Sequence, residues 1–297
     1  MIVILIGESA SGKDTALANL KDYGCKPIVS STTRAMREGE QEGVNYHYIS
    51  EKEFLEKVES EVIFEHREYD SSKGKVYYGA EKIMLDPDAE YAAVRDVDGA
   101  KAYIKAYGRQ NCFVVKIDVP EKIRYERALA REGFDNSEYP DPAREDFDRE
   151  FALRLEDDKK RFSKENLLPV VNFYADGTKW DKDTAHFTII EALGEYEKKM
   201  KEYEEQEHLH TDFEYPQVIV TENTDENGFA YYRCMTRTDF IVEMNRKSFR
   251  EVEGMESLDQ CVGTDTYTSM HKALENIYGK QFTDDTDKKK NDTAFEK

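Results

Sequence analysis

The residues best suited to chemistry stand near the first residue of the chain, where a glycine-rich run follows an apolar one. Residues 7–14 read Gly-Glu-Ser-Ala-Ser-Gly-Lys-Asp, directly after the apolar residues 2–6. A buried strand, such a loop and a helix beginning near Lys13 point backbone N–H groups and the positive end of the helix dipole into one concavity. The lysine adds a mobile charge for the outer phosphates of a nucleotide. The pattern predicts a phosphate-binding loop.

The residue after the loop lysine departs from the usual pattern, in which a Ser or Thr hydroxyl contacts Mg²⁺. Here that position is Asp14, followed by Thr15. Either the Asp14 carboxylate binds the metal, directly or through water, or the Thr15 hydroxyl takes that place. Asp14 and Thr15 are therefore the two candidate metal ligands.

A second group of residues has the chemistry to hold a phosphate monoester and a base. Arg34 and Arg37 stand three positions apart among several hydroxyl side chains, and the planar guanidinium matches a phosphate better than an ammonium does. Farther along, the carboxylates of Glu65 and Asp96 could accept hydrogen bonds from the ring N–H and amino groups of a base. Singly these are more often surface or capping residues. Their order behind a phosphate loop indicates a nucleotide site.

Composition limits the classes of partner. The chain has 297 residues, 43 Lys and Arg against 63 Asp and Glu, and a net charge of −20, which disfavours nucleic acid and anionic membranes. No apolar run is long enough to span a membrane, and we expect no cleaved signal peptide because cleavage would remove the loop. The four cysteines form no CxxC pair, which favours free thiols in a reducing cytoplasm.

Hydrophobic spacing predicts alternating strands and helices, and therefore an α/β protein with a mostly parallel sheet. The predicted strands are residues 2–6, 27–30, 62–64, 91–94 and 112–117, with 168–171 as the last core strand. The predicted helices are residues 13–23, 51–58, 120–131 and 147–162, with a further helix starting at 188–193. Residues 195–208 are almost wholly charged and predict a solvated connecting helix.

Beyond Pro216 the pattern changes. Apolar residues 218–220 and 229–232 flank Asp-Glu-Asn-Gly, which predicts a β-hairpin. A strand at 240–244 and a helix at 269–278 are further predictions, and the polar, lysine-rich tail is predicted to be disordered.

With these residues in place, the sequence resembles the guanylate kinase family. Residues 31–46 contain the signature S-T-T-R-x-x-R-x-G-E-x-x-G-x-x-Y, and Glu65, the Y-Y-G at 77–79 and the D-x-x-G-A at 96–100 follow in the family's order. The resemblance is sharp over about 100 residues and looser to about residue 195. It implies a P-loop NTPase fold in which a monophosphate-binding subdomain and a lid accompany a mostly parallel sheet flanked by helices.

The implied organisation is a kinase domain over 1–195, with the acceptor-binding region at about 31–95 and the lid at about 122–160. A charged linker helix (196–210), a small α+β extension (211–282) and a tail (283–297) would follow.

The resemblance also implies a role for each matching residue. The donor ATP would be held by Gly7, Ser9, Ser11, Gly12, Lys13, Asp14 and Thr15, with Asn172 near the adenine. The acceptor monophosphate would be held by Ser30, Arg34, Arg37, Tyr46 and Tyr78, and Glu65 and Asp96 would read the guanine edge. Arg131 and Arg154 match lid arginines better than Arg127 does, and together with Lys13 they form the expected catalytic set.

The implied function is ATP-dependent phosphorylation of GMP or dGMP, with Mg²⁺ as cofactor, in the cytoplasm. Small nucleotides would be the partners, without nucleic acid or membrane. Two departures bear on specificity: Ala80 stands where the family has a Ser or Thr beside the base, and residues 70–76 and 133–145 are extended. The alternatives are a kinase of the same fold acting on another monophosphate or phosphate-bearing acceptor, and a non-catalytic guanylate-kinase-like binding module.

Overall fold

The computed structural model describes residues 1–37, 39–71, 74–134, 142–178, 180, 185–207, 214–237 and 239–240. The strands in these residues are β1 (Ile2–Ile6), β2 (Lys26–Pro27), β3 (Ser31–Thr32), β4 (His47–Tyr48), β5 (Ile63–Ser71), β6 (Gly74–Glu81), β7 (Tyr91–Val94), β8 (Cys112–Asp118), β9 (Phe173–Asp176), β10 (Val218–Thr224) and β11 (Ala230–Thr236). The helices are α1 (Lys13–Tyr23), α2 (Glu51–Glu59), α3 (Val97–Tyr107), α4 (Glu121–Glu132), α5 (Pro142–Arg161), α6 (Lys164–Leu167) and α7 (Ala185–Glu207).

A seven-stranded sheet forms the centre of the fold, in the order β11-β10-β9-β8-β1-β7-β2. Its neighbouring strands are parallel, except for the antiparallel pair β10–β11. The prediction of an α/β protein with a mostly parallel sheet is confirmed. Because β7 and β8 flank β1 on opposite sides, the carboxyl end of β1 lies where connections diverge, the usual place for a ligand in such sheets.

The sheet is buried on both faces, which explains why β1 is apolar at every position. Alternate side chains of a strand point to opposite faces. Ile2, Ile4 and Ile6 accordingly pack with the cluster that includes Tyr103 of α3. Val3 and Leu5 pack with side chains of α1 and α7 on the other face. The strand that leads into the glycine-rich loop is thus fixed from both sides.

A smaller four-stranded sheet, in the order β4-β3-β6-β5, stands beside the central one. It is mixed: β3 pairs parallel with β4, and β6 pairs antiparallel with β3 and β5. Phe54 of α2 packs with Ile63 and Tyr77 on one face of this sheet. Its other face is therefore left for the cleft described below.

Local signals set the helix boundaries that matter for the site. α1 begins after Gly12, whose φ of 96° is left-handed, and ends at Gly24, with φ of 119°; glycine adopts both conformations without a Cβ penalty. Asp96 is the N-cap of α3, because its carboxylate accepts from the Gly99 N–H at 2.9 Å. The cap places Asp96 at the carboxyl end of β7.

Of the strand predicted at 27–30, only Pro27 lies in a strand, at the end of β2. The strand predicted at 168–171 is wrong. Residues 168–171 form a turn instead, in which the Val170 and Val171 N–H groups both donate to the Leu167 carbonyl at 3.0 Å. Both valines are buried, so their apolar character reflects packing and not pairing. The strand lies just beyond, at β9, and it is not the last one, since β10 and β11 extend the same sheet.

The charged segment predicted as a solvated connecting helix is the second half of α7, and it is continuous with the helix predicted before it. Tyr196 and Met200 on this half are buried, and the Tyr196 hydroxyl donates to the Arg109 carbonyl at 2.9 Å. The predicted hairpin is confirmed as β10–β11. Within the described part of the chain, no helix is long and apolar enough to cross a membrane.

The remaining C-terminal predictions, the elements at 240–244 and 269–278 and the polar tail, lie outside the described residues except for residue 240. The proposed domain boundaries stay predictions.

Candidate active site

The glycine-rich loop leaves β1 and curls back onto its own start. A Cβ on Gly7 would meet the Ser11 Oγ at 2.6 Å and the Ile117 carbonyl oxygen at 2.9 Å, so only glycine fits this close approach. The Ser11 N–H donates to the Glu8 carbonyl at 3.2 Å. Arg127 of α4 supports the loop from below, since its guanidinium donates to the carbonyls of Ser11 and Gly177.

Lys13 lies across the mouth of this loop. Its Nζ donates to the carbonyl oxygens of Gly7 and Glu8, both at 2.9 Å. Burial lowers the pKa of the Lys13 ammonium below its usual value, against the opposing effect of the nearby carboxylates of Asp14, Asp158 and Glu8. A cation held by two neutral carbonyls can turn to an anionic ligand without breaking an ion pair.

Below the loop lies an ion pair between a buried lysine and a partly exposed glutamate. Lys116 of β8 is 2% exposed, and its Nζ contacts the Glu8 Oε2 at 2.6 Å. Burial by itself would raise the pKa of the Glu8 carboxyl, but the charge and hydrogen bond of Lys116 hold that pKa below its usual value. The Glu8 carboxylate therefore stays ionised at neutral pH, and its contact with Lys116 ties the loop to the central strand β8.

One backbone N–H group of the loop already donates a hydrogen bond to a carboxylate. The Ser9 N–H donates to the Asp158 Oδ2 at 2.8 Å. Asp158 belongs to α5 and also lies 3.6 Å from the Arg124 guanidinium, which donates in turn to the Ser9 carbonyl. Because loop N–H groups are the donors that bind phosphates in such loops, Asp158 holds the position of an anionic ligand.

The two candidate metal ligands follow the loop. Asp14 and Thr15 lie in the first turn of α1, and both side chains are exposed. The described residues contain no cluster of three or more His, Cys, Asp or Glu that could hold a metal by itself. Mg²⁺ usually takes one or two protein oxygens and completes its shell with phosphate oxygens and water. A carboxylate and a hydroxyl beside a phosphate loop fit that donor set.

The acceptor side of the site is built on β3 and β6. Arg34 donates to both carboxylate oxygens of Glu40, at 2.8 and 2.9 Å, and from Nε to the Tyr78 hydroxyl at 3.1 Å. Its guanidinium also lies over the Tyr46 ring, 5.4 Å from the centroid. The hydrogen bonds to Arg34 lower the pKa of the Glu40 carboxyl to about 2, so the carboxylate orients the arginine at any ordinary pH.

The two predicted base-reading carboxylates lie on facing elements. Glu65 is on β5 and Asp96 caps α3, and Arg67 lies between them. Arg161 of α5 donates to the other Asp96 oxygen, Oδ2, at 2.9 Å. Burial raises the pKa of the Glu65 carboxyl, and the charges of Arg95 and Arg67 oppose that rise.

One cleft of about 1070 Å³ joins these parts, which is large enough for two nucleotide-sized ligands. The sequence-predicted residues that line it are Gly7, Ser9, Lys13, Ser30, Arg34, Arg37, Tyr46, Glu65, Tyr78 and Asp96. The phosphate loop, the arginines Arg34 and Arg37, and the carboxylates of Glu65 and Asp96 therefore line a single cavity.

Other predicted residues lie away from this lining. Ser11 is a fully buried residue of the loop, and Gly12 lies just before α1. Arg131 and Arg154 are exposed, and they pair with Glu132 at 3.6 Å and with Glu150, respectively.

Asn172 is 1% exposed. Its Oδ1 accepts from the Val114 N–H, and its Nδ2 donates to the Val218 carbonyl, both at 2.9 Å. Asn172 thus links β8 to β10 within the sheet.

Among the charged residues of the site that sequence reasoning missed are Arg67, Arg124, Asp158 and Arg161. Arg67 follows Glu65 at the two-residue spacing of one strand face, which is a readable signal. Arg124 lies within the helix predicted at 120–131, but it belongs to no motif that would mark it as part of a site. Asp158 and Arg161 sit in a run of charges on α5, and nothing local distinguishes them from solvated neighbours.

Comparison with known proteins gives one consistent family. The family model described as guanylate kinase matches residues 1–154. A guanylate kinase of Mycoplasmopsis pulmonis is 31% identical over 147 residues, which cover 46% of this chain and 73% of that protein. One from Streptococcus pyogenes serotype M3 is 27% identical over 208 residues, covering 68% and 93%.

Coverage varies among the relatives. A guanylate kinase of Sulfurimonas denitrificans is 40% identical over 80 residues, but the match spans only 37% of that protein and 26% of this chain. The crystal structure of guanylate kinase from Anaplasma phagocytophilum matches 72% of this chain and 96% of its own, with a TM-score of 0.45 and 20% identity. Since the family model covers more than half of the 297 residues, the chain belongs to the guanylate kinase family of nucleoside monophosphate kinases.

Proposed function

We propose that the protein transfers the terminal phosphoryl group of ATP to GMP or dGMP, forming ADP and the nucleoside diphosphate. The observation that carries the proposal is the shared cleft. A phosphate loop with Lys13, an arginine oriented by Glu40, and the Glu65 and Asp96 carboxylates line one cavity. A donor triphosphate at the loop and an acceptor monophosphate at the arginine would meet inside it.

At the donor end, the loop amides and Lys13 bind the β- and γ-phosphates. Lys13 exchanges its two carbonyl partners for phosphate oxygens. Asp14 or Thr15 would hold Mg²⁺ against the same phosphates, and the ion would supply charge neutralisation. Asp158 must release the Ser9 N–H before that amide can bind a phosphate.

At the acceptor end, Arg34, Arg37, Ser30, Tyr46 and Tyr78 hold the monophosphate. The Arg37 side chain is exposed and faces the cleft. Neighbouring side chains hold the Arg34 guanidinium in one orientation. Little orientational entropy is therefore lost when the acceptor binds.

The carboxylates of Glu65 and Asp96 would recognise the base. Carboxylates accept hydrogen bonds but donate none when ionised. Glu65 and Asp96 therefore suit the guanine N1–H and 2-amino groups, which are donors, and disfavour a base that presents acceptors there.

Transfer itself needs alignment and charge stabilisation more than covalent help. An acceptor phosphate oxygen attacks the γ-phosphorus, and the bond to the β–γ bridging oxygen breaks, so that ADP leaves with the bonding electron pair. Arg131 and Arg154 would reach the transferring group on lid closure. Both now make exposed ion pairs within their own helices, and such pairs contribute little stability and are easily given up.

The proposed setting is the cytoplasm, with free nucleotides as partners. A chain with a net charge of −20 repels polyanions over most of its surface. Binding of a small phosphate therefore depends on the local cations of the cleft.

Substitution of the loop lysine tests the proposal. Lys13→Ala removes the mobile cation, and we expect turnover of ATP and GMP to fall at least about 100-fold, with an unchanged circular dichroism spectrum. Lys21→Ala is the matched control, because Lys21 is an exposed lysine in the last turn of the same helix. Normal turnover in Lys13→Ala would contradict the assignment.

A further inference from the structure

One face of the small sheet turns toward Asp96. Side chains alternate along β5, so Glu65 and Arg67 share a face. In the antiparallel register Glu65 lies opposite Ala80 and Arg67 opposite Tyr78. Arg67 is thus the diagonal neighbour of Ala80, a separation that a long side chain can span.

The Arg67 guanidinium lies between the two carboxylates. Its Nη2 donates to the Asp96 Oδ1 at 2.9 Å and lies 3.4 Å from the Asp98 Oδ2, while its Nε is 3.6 Å from the Glu65 Oε1. The side chain is 25% exposed and lines the cleft. Among the described residues, Nη1 has no hydrogen-bond partner.

The other two arginines near the pair make further contacts of their own, although the Arg95 Nε is buried without a hydrogen-bond partner among the described residues. Arg95 donates to the Val94 carbonyl at 2.7 Å and to the Tyr103 hydroxyl at 2.6 Å. Arg161 bridges Asp96 and Asp157, at 2.9 and 2.7 Å. Arg67 is the arginine that lies between the base-reading carboxylates and lines the cleft with a terminal nitrogen, Nη1, to spare.

Guanine needs a donor that the carboxylates cannot provide. Its N1–H and 2-amino group are donors, whereas O6 and N7 are acceptors. Ala80, opposite Glu65, has no polar side-chain atom. An arginine fork matches O6 and N7 together, the pairing by which arginine commonly recognises guanine.

We propose that Arg67 is a specificity-determining residue that donates hydrogen bonds to the O6 and N7 edge of the acceptor purine. The inference rests on the proposed function, since it assigns the base contact of the same acceptor site. Arg67 would distinguish guanine from adenine, whose 6-amino group is a donor facing a cation. In the absence of a base, the same guanidinium neutralises Glu65 and Asp96.

The test is a double-mutant cycle in which one change is made in the Arg67 side chain and the other in the O6 or N7 edge of the acceptor base. Arg67→Met keeps most of the unbranched apolar stem of the side chain and removes its donors. The acceptors are GMP, 7-deaza-GMP and 6-thio-GMP, since the two analogues keep N1–H and the 2-amino group but weaken the N7 or O6 acceptor. Both kcat/KM and the Kd from titration calorimetry are measured for each acceptor.

We expect Arg67→Met to reduce kcat/KM and binding for GMP about tenfold or more, and to reduce them clearly less for at least one analogue. Equal losses for all three acceptors, or no loss with GMP, would overturn the inference, because a merely structural role does not depend on the base edge. Arg67→Lys, which keeps a charge without the fork, should fail to restore the preference. It also serves as the second variant if Arg67→Met does not fold.

The design separates the two proposals. Arg149→Met is the control, because this exposed arginine pairs with Asp146 within α5. Lack of GMP turnover in the wild-type chain would contradict the proposed function. The binding cycle would then still decide whether Arg67 reads the purine edge.

Discussion

The carboxylate of Asp158 sits on the Ser9 N–H, a donor that the proposed phosphate ligand needs. Asp158→Asn keeps the shape of the side chain and an acceptor oxygen for that N–H. It removes the charge that makes the bond strong and that would repel an incoming phosphate. We therefore expect the variant to bind ATP more tightly than the wild-type protein.

The magnitude follows from the hydrogen bond. A bond to a charged acceptor contributes about 1.5–3 kcal/mol, and one between neutral groups about 0.5–1.5 kcal/mol. Freeing the Ser9 N–H should therefore cost about 1 kcal/mol less in the variant, which corresponds to an ATP Kd lower by about fivefold. Loss of the Asp158 repulsion toward phosphate acts in the same direction.

The assay is titration calorimetry with ATP and Mg²⁺ at fixed ionic strength, without an acceptor. Asp157→Asn is the matched control. It removes the same charge one residue away, from a carboxylate that pairs with Arg161 instead of the loop. If Asp158→Asn binds ATP no more tightly than Asp157→Asn does, then the carboxylate does not compete with phosphate and the reasoning is refuted.

Two further predictions concern the structure around the loop. Asn172→Ala leaves one strand N–H and one carbonyl unpaired in the sheet, so the free energy of unfolding by urea should fall by about 2–4 kcal/mol; a large rise in the KM for ATP with unchanged stability would instead favour an adenine contact. Lys116→Met leaves the Glu8 carboxylate without its cationic partner, and it should destabilise the protein by about 3–5 kcal/mol at pH 7. Because Lys116 holds the Glu8 pKa below 4.5, wild-type stability from this group is present above pH 4.5 and falls below it. In the variant burial raises that pKa, so protonation relieves the penalty, and the difference in Tm should shrink from pH 7 to pH 4; a constant difference would contradict the ion-pair account.

The elements that the sequence predicts well are those whose signal is local. β1 is wholly apolar and β8 is largely so because both faces of the sheet are covered. The hairpin β10–β11 has Gly228 with φ of 84° in its turn. The helix boundaries at Gly12 and Gly24 follow from glycine chemistry. Such features depend on a few consecutive residues, so one sequence is enough to find them.

The elements that the sequence mispredicts depend on distant packing. Val170 and Val171 are as apolar as a strand, but their backbone closes a turn on Leu167. The second half of α7 is mostly charged, but it contains Tyr196, which is buried because the helix packs on the central sheet. The pairing of β10 with β9, which adds the extension to the central sheet, has no local signal at all.

In the candidate site too, residues of short motifs can be predicted from the sequence, whereas contacts between distant residues cannot. Loop glycines, Lys13 and Arg34 belong to short motifs, and the structure brings them to one cleft. The contact between Asp158 and Ser9 joins residues 149 positions apart, and the placement of Arg67 between Glu65 and Asp96 depends on how α3 meets the small sheet. Charges that act over such separations are visible only in the fold.

The most direct test of the central claim is a coupled ADP-release assay with ATP and Mg²⁺ against GMP, dGMP, AMP, dTMP, CMP and UMP. The account predicts fast turnover with GMP or dGMP and slow turnover with the other four. Absence of turnover with every acceptor, or a clear preference for a different base, would contradict it.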